Sequence, residues 1–263
     1  MLYALGREHH AYAVTAALLA EPGTREAGAA MAREACHNWR AAPVQLLPLL
    51  ILHSGRTVGP AMAKALRTAS ISRSAMQVHG SLAATVALTP YPRPRCPRQH
   101  ARPTYSSTSA AALLAAKPVG VARLSDAPEV FGALLDAGPL TFRQAAQLYN
   151  LTFRWPGRMQ ALCAPLWLRH AGLSALPRLM GLITPYIGDY AVGEHYLTCL
   201  ARMGRYALPA LPAVAGVIER RTRIPVNDST RDAETEIDER LLAAALETRH
   251  AILADCTATL LGG

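Results

Sequence analysis

The apolar positions of the last thirty residues set the pattern for the rest of the chain. In "RDAETEIDERLLAAALETRHAILADCTATLL", Ile237, Leu241, Ala245 and Ile252, joined by Leu242, Leu246 and Leu253, fall on one broad helical face. A long helix is therefore predicted from about Asp232, with Asp232, Glu234 and Glu236 placed to complement the dipole of its first turns. Its acidic residues read as the polar outer face of a terminal cap. Residues 130–150, "VFGALLDAGPLTFRQAAQLYN", give two further helical pieces divided at Gly138–Pro139, with Thr141 as N-cap of the second. Near the start, "GREHHAYAVTAALLAEPG" loosely imitates a signal peptide. Leu18 stands where a small residue would be needed before a cut after Ala20, so the stretch reads as an amphipathic first helix. The fold class predicted is all-α.

Two segments share an internal register. "GLSALPRLMGLI" (172–183) aligns with "GRYALPALPAVA" (204–215), pairing Gly172 with Gly204, Ala175 with Ala207, Leu176–Pro177 with Leu208–Pro209 and Leu179 with Leu211. "QLLPLLILHSG" (45–55) repeats the Leu-Pro-x-Leu core around Pro48. "VGPAMAKALR" (58–67) and "VGEHYLTCLA" (192–201) share Val-Gly and a Leu eight residues after the Val. A repeat of 30–45 residues with two helical segments per unit is the signature of an α-solenoid. Proline in the first turn of a helix is harmless because its N–H would lack an intrahelical partner there. Pro48, Pro177 and Pro209 are accordingly predicted to open helices, and Gly204 to close the helix before it in a left-handed cap.

The order helix, Gly, short turn, Leu-Pro-x-Leu, helix resembles a HEAT repeat of the armadillo-type superfamily. The resemblance is closest over 172–220, weaker over 40–88 and absent across 89–128. It implies stacked antiparallel helix pairs and a concave binding face. It implies no particular chemistry.

Charge changes this picture in one region. From Ala35 to Ser125 there is no Asp or Glu but eleven Arg or Lys, so the net +9 of the 263 residues comes from one third of the chain. Its centre, 89–128, is dense in Pro, Arg, Ser and Thr, and prolines across 89–105 forbid a continuous helix or central strand. It reads as a partly disordered linker or insertion between an N-terminal segment, 1–88, and a C-terminal one, 129–263. A basic arm for a polyanion and a locally shifted reading frame are the alternatives. Hydrophobic residues make up 51% and aromatics only 6%, a core of Ala, Leu, Val and Ile suited to helix-on-helix packing. The Arg-rich, Lys-poor, Ala- and Pro-rich composition suggests a GC-rich, actinobacterial genome.

Candidate chemistry is sparse. Cys36, Cys96, Cys163, Cys199 and Cys256 are odd in number and form no C-x-x-C pair, which argues against a disulfide framework or a paired-cysteine zinc site and suits a reducing cytoplasm. Cys163 and Cys199 sit in apolar helical contexts that suit buried thiols. "CHNW" (36–39) and "CPRQH" (96–100) each offer two metal ligands at most. The chain contains no G-x-S-x-G, Walker loop, G-x-G-x-x-G or H-E-x-x-H. Neither a catalytic residue, a cofactor nor a metal is expected. The longest apolar run, 41–52, is too short to cross a membrane and holds Gln45 and two prolines.

The densest polar–aromatic stretch is "LYNLTFRWPGR" (148–158). Its Tyr149, Arg154, Trp155 and Arg158 have the composition of an interface hot spot and are the candidate partner-binding residues. The other reading makes them an inter-helix loop whose aromatics fill the core between repeats. Two functions follow: a non-enzymatic scaffold binding a protein on its concave face, or a nucleic-acid-binding protein resembling the HEAT-like DNA alkylation glycosylases. The second needs a carboxylate in a basic groove, and only Asp126, Glu129 and Asp136 come near the basic stretch.

Overall fold

A computed structural model of the chain describes residues 8–54, 59–76, 126–154, 156–224 and 230–261. The predicted linker lies outside the described residues except at 126–128, where a helix begins. Most of the described residues are helical, and their one isolated antiparallel β-bridge pairs Trp39 with Thr222. In chain order the helices are α1 (Glu8–Ala20), α2 (Arg25–Asn38), α3 (Ala42–His53), α4 (Pro60–Met76), α5 (Ala127–Ala137), α6 (Phe142–Phe153), α7 (Arg158–Ala171), α8 (Leu176–Ile183), α9 (Gly193–Met203), α10 (Leu211–Glu219) and α11 (Arg231–Leu261). Short 3₁₀ segments occupy Leu173–Ala175, Thr184–Tyr186 and Gly204–Ala210. Among the described residues no helix is long and apolar enough to cross a membrane.

Two compact units emerge, and they do not follow the sequence in order. One takes the described residues of Met1–Ser81, Gly188–Glu194 and Leu211–His250; the other takes those of Leu82–Ile187, His195–Ala210 and Ala251–Gly263. In the first, α1 presents Ala11, Thr15 and Leu19 inward, one residue per turn. Thr15 hides its hydroxyl by donating to the Ala11 carbonyl at 2.7 Å. Alanines line the inner face of α2 (Ala29, Ala32, Ala35) and meet Leu19, Leu46, Leu50 and Met62. Gly28 makes the close approach to α1 work, since a Cβ there would sit 2.8 Å from the backbone nitrogen of Leu19. In the second unit Val130, Phe131 and Leu134 of α5 pack with Leu148 and Leu151 of α6 and Cys163 of α7.

The punctuation of the chain is partly as predicted. Thr141 caps α6 in a reciprocal box: its hydroxyl accepts from Gln144 N at 3.4 Å, and Gln144 Oε1 accepts from Thr141 N at 2.9 Å. The aligned glycines share the left-handed region, with φ of 72° at Gly172 and 55° at Gly204, after α7 and α9 respectively. Pro177 lies in the first turn of α8, and Pro212 in the first turn of α10.

Two prolines depart from expectation. Pro48 sits inside α3, whose first turn holds Pro43 instead. Pro209 lies within the 3₁₀ segment before α10. Having no N–H to contribute to a regular turn and Pro212 close behind, it leaves the chain in the tighter helix until Leu211.

Candidate functional site

Tyr149 lies on α6, one helical turn before Phe153, and the two rings are 4.7 Å apart. Trp167 of α7 meets both edge-on, at 5.4 Å from Tyr149 and 5.9 Å from Phe153, while its indole packs on the apolar core of the unit. Arg178, exposed on α8, lays its guanidinium over this cluster, 4.3 Å from the Phe153 ring centre and 5.1 Å from that of Tyr149. Such a cation is held against the negative ring faces by about 0.5–1 kcal/mol at an exposed site. The rings are half-buried, so the cluster both seals the core and shows an edge to solvent.

Phe142, the first residue of α6, lies two helical turns before Tyr149 and is 92% exposed. Phe142, Ala146, Tyr149 and Phe153 are spaced four, three and four residues apart, which places them along one helix face. The sequence reading missed Phe142, Trp167 and Arg178. The spacing signal for Phe142 was present in residues 142–153, whereas Trp167 and Arg178 reach the site through folding alone.

Of the predicted binding residues, the structure brings Tyr149 into this patch. Arg154 and Arg158 are exposed at the end of α6 and the start of α7. Trp155 lies outside the described residues. The connection between these helices is anchored from beneath by buried polar groups. Gln160 Nε2 donates to the Thr152 carbonyl at 2.8 Å. Tyr196 donates its hydroxyl to Gln160 Oε1 at 2.5 Å and accepts from Gly157 N at 2.8 Å.

The other unit holds a buried ion cluster that the sequence reading did not find. Backbone pairing of Arg40 N to Arg221 O and of Arg223 N to Asn38 O, each 3.0 Å, carries two arginines inward beside α11. There Asp238, with a side chain 1% exposed, accepts from Arg40 Nε and Nη2 at 2.8 Å each and from Arg223 Nη1 at 3.0 Å. Arg220 adds a contact at 3.3 Å. Arg223 also reaches Glu239 at 2.6 Å and the Cys36 carbonyl at 2.8 Å. Burial pushes the Asp238 carboxyl up, but the Arg40 hydrogen bonds and the charges of Arg40, Arg223 and Arg220 outweigh it and hold the group below its ordinary range.

The face of α11 is the expected one at Leu241, Ala245 and Ile252, with Ile237, Leu242 and Leu246 half-buried, but it also takes in residues expected on the polar side. Thr235, Asp238, Glu239, Leu241, Ala245, Thr248 and Ile252 are buried, and Leu253 is 46% exposed. Asp238 and Glu239 turn inward because three arginines wait for them there. Asp232 and Glu234 stand in the first turn of α11 as expected, and Asp232 also accepts from Thr68 at 2.9 Å and approaches Arg33 at 3.5 Å. The arrangement is a saturated structural knot: the acceptors are engaged by fixed guanidinium groups, which suits holding a fold more than moving a proton.

A short polar chain adjoins it. Thr235 spends its proton on the Arg231 carbonyl, so His37 Nδ1, 3.0 Å away, donates to the Thr235 hydroxyl. That tautomer leaves Nε2 without a hydrogen-bond partner, 3.4 Å from Asp232 Oδ1. Burial depresses the His37 pKa, with Asp232 opposing and Arg33 assisting. Burial also pushes the thiols of Cys36, Cys163 and Cys199 up to about 12, which makes them inert rather than nucleophilic. Among the described residues no group of three or more His, Cys, Asp or Glu is placed to hold a metal.

The chain matches no family model, and neither the curated proteins nor the solved structures give a match.

Proposed function

We propose that this chain is a non-enzymatic, HEAT-like helical-repeat scaffold that takes a protein partner on the aromatic–arginine face of α6. The observation that carries the reading is Phe142, a ring 92% exposed at one end of a stripe whose other rings are half-buried and roofed by Arg178. Exposed aromatic residues flanked by arginine are the composition that dominates binding energy at protein interfaces. The positive φ shared by Gly172 and Gly204 after their helices supports the repeat that underlies the HEAT-like part of the proposal. The groups with perturbed acidity include thiols silenced by burial and the carboxylates of Glu34 and Asp238, bound to arginine, which suits a binding role.

Affinity capture from cells of the source organism tests this, with wild type compared against Phe142→Ala and Arg178→Ala. Phe142 touches little in its own fold, so its variant should melt with the wild type. A partner retained by wild type and lost from both variants supports the scaffold. Identical capture by all three refutes it. A duplex DNA titration run in parallel addresses the nucleic-acid alternative: affinity that falls steeply with salt and ignores Phe142→Ala would replace the protein-partner reading.

A further inference from the structure

The second unit carries a cleft that the α6 stripe does not use. Its volume is about 720 Å³, and it is lined by the ends of α7 and α9 together with Ala251 and Asp255 of α11. That size suits a small organic molecule, for which sites run from roughly 300 to 1,000 Å³. Its apolar lining includes Leu168, Met203 and Leu173. Leu173 is 61% exposed, an aliphatic wall that the fold leaves uncovered.

The polar groups of the lining divide into spent and unspent. Arg169 is committed to Asp136 at 2.7 Å and to the Leu135 carbonyl at 3.1 Å. Asp255 accepts from Arg205 N at 2.8 Å. Gly204, which precedes that amide, has no room for a Cβ beside the Asp255 carboxylate, so the carboxylate is seated against the turn. Tyr206 accepts from Arg205 Nη2 at 3.2 Å, which leaves its own hydroxyl proton to give. Arg202, exposed on the last turn of α9, has no carboxylate within ion-pair distance among the described residues. The cleft thus offers one guanidinium outside any ion pair, one hydroxyl donor and an aliphatic wall, while the Asp255 carboxylate in the lining is turned onto the Gly204–Arg205 backbone.

We infer that this cleft binds a small amphipathic carboxylate. Its head group is held by Arg202 and Tyr206, and its hydrocarbon body lies along Leu173, Leu168 and Met203. One cation with one neutral donor matches a monoanion; a phosphate dianion would call for a second free cation, and Arg169 is engaged. The inference is independent of the α6 reading, and neither depends on the other's outcome.

Isothermal titration of the full chain at low ionic strength, with octanoate, octylammonium and octanol as probes, tests it. Octanoate should bind at least about tenfold tighter than octylammonium, as expected for a charge-assisted contact. Arg202→Gln should weaken octanoate about tenfold and leave octanol unchanged, and Arg202→Glu should reverse the preference between the two ions. Leu173→Asn, at an exposed position that the fold should tolerate, should weaken octanoate and octanol together. The inference is overturned if octanoate gives no binding heat at millimolar concentration. It is also overturned if octanoate binds no tighter than octylammonium, or if Arg202→Gln leaves octanoate affinity unaltered.

Discussion

Removing the carboxylate of Asp238 should be among the most damaging single changes to the first unit. Its two oxygens take the four arginine contacts described above, and the side chains of Arg40 and Arg223 are 7% and 3% exposed. In Asp238→Ala, Arg223 keeps Glu239 and the Cys36 carbonyl, whereas Arg40 keeps only the Val217 carbonyl at 2.5 Å and becomes a buried cation without a counter-charge. Breaking a buried pair in this way costs about 3–5 kcal/mol, a large share of the roughly 5–15 kcal/mol that stabilises an ordinary domain. At this chain length that corresponds to a fall in Tm on the order of 10 °C. Asp238→Asn keeps the shape but turns an amide N–H₂ toward guanidinium donors, so it should lose nearly as much. The double variant Arg40→Met with Asp238→Leu should recover part of the loss, because no uncompensated charge then remains at that pair. Urea denaturation followed by far-UV circular dichroism reads all three. A loss under about 1 kcal/mol in Asp238→Asn would show that the cluster behaves as a hydrated surface pair, and the reasoning would fail.

Acid supplies a complementary test. The folded pKa of Asp238 lies below its ordinary 3.8, so its contribution is complete above that value and is lost as pH falls through the folded pKa. His37 acts in a higher window. Its folded pKa is depressed below 6.5, so stability should decline as pH falls from 6.5 toward the folded value, and His37→Gln should flatten that slope in urea titrations. If the slope survives the substitution, another group is responsible. Gly28→Ala drives a methyl against the α1 backbone and should cost about 1–3 kcal/mol by overpacking, measured as a shift of the urea midpoint; an unchanged midpoint would contradict the close helix approach. Cys36, Cys163 and Cys199 should resist alkylation by iodoacetamide at pH 8 in the native protein and react after denaturation, as mapped by mass spectrometry. Rapid native labelling of Cys199 would mean that its helix opens.

Local signals carried much of the helical content. Thr141 with Gln144, the glycines at 172 and 204 and the start of α11 near Asp232 were all legible because each depends on a few neighbouring residues. The misplaced Pro48 shows the limit: Pro43 supplies an equally good first turn five residues earlier, and periodicity cannot rank the two. The apolar part of the buried face of α11, Leu241, Ala245 and Ile252, was legible, whereas its acidic part was not, for a different reason. Asp238 looks like a solvated residue until Arg40 and Arg223 come beside it, and no pattern within α11 announces partners so far away. Phe142 was legible in its spacing but not in its exposure, which depends on what fails to cover it.

The Arg40–Asp238 contact joins residues separated by 198 positions. During synthesis at roughly 5–20 residues per second, Arg40 leaves the ribosome on the order of 10–40 s before Asp238 does. For that interval α2, α3 and α4 must rely on their apolar faces alone, with a cation directed at an unfinished interior. The first unit is therefore completed only by a segment translated long after its first helices. Chaperone occupancy on a stalled nascent chain should persist until α11 has emerged.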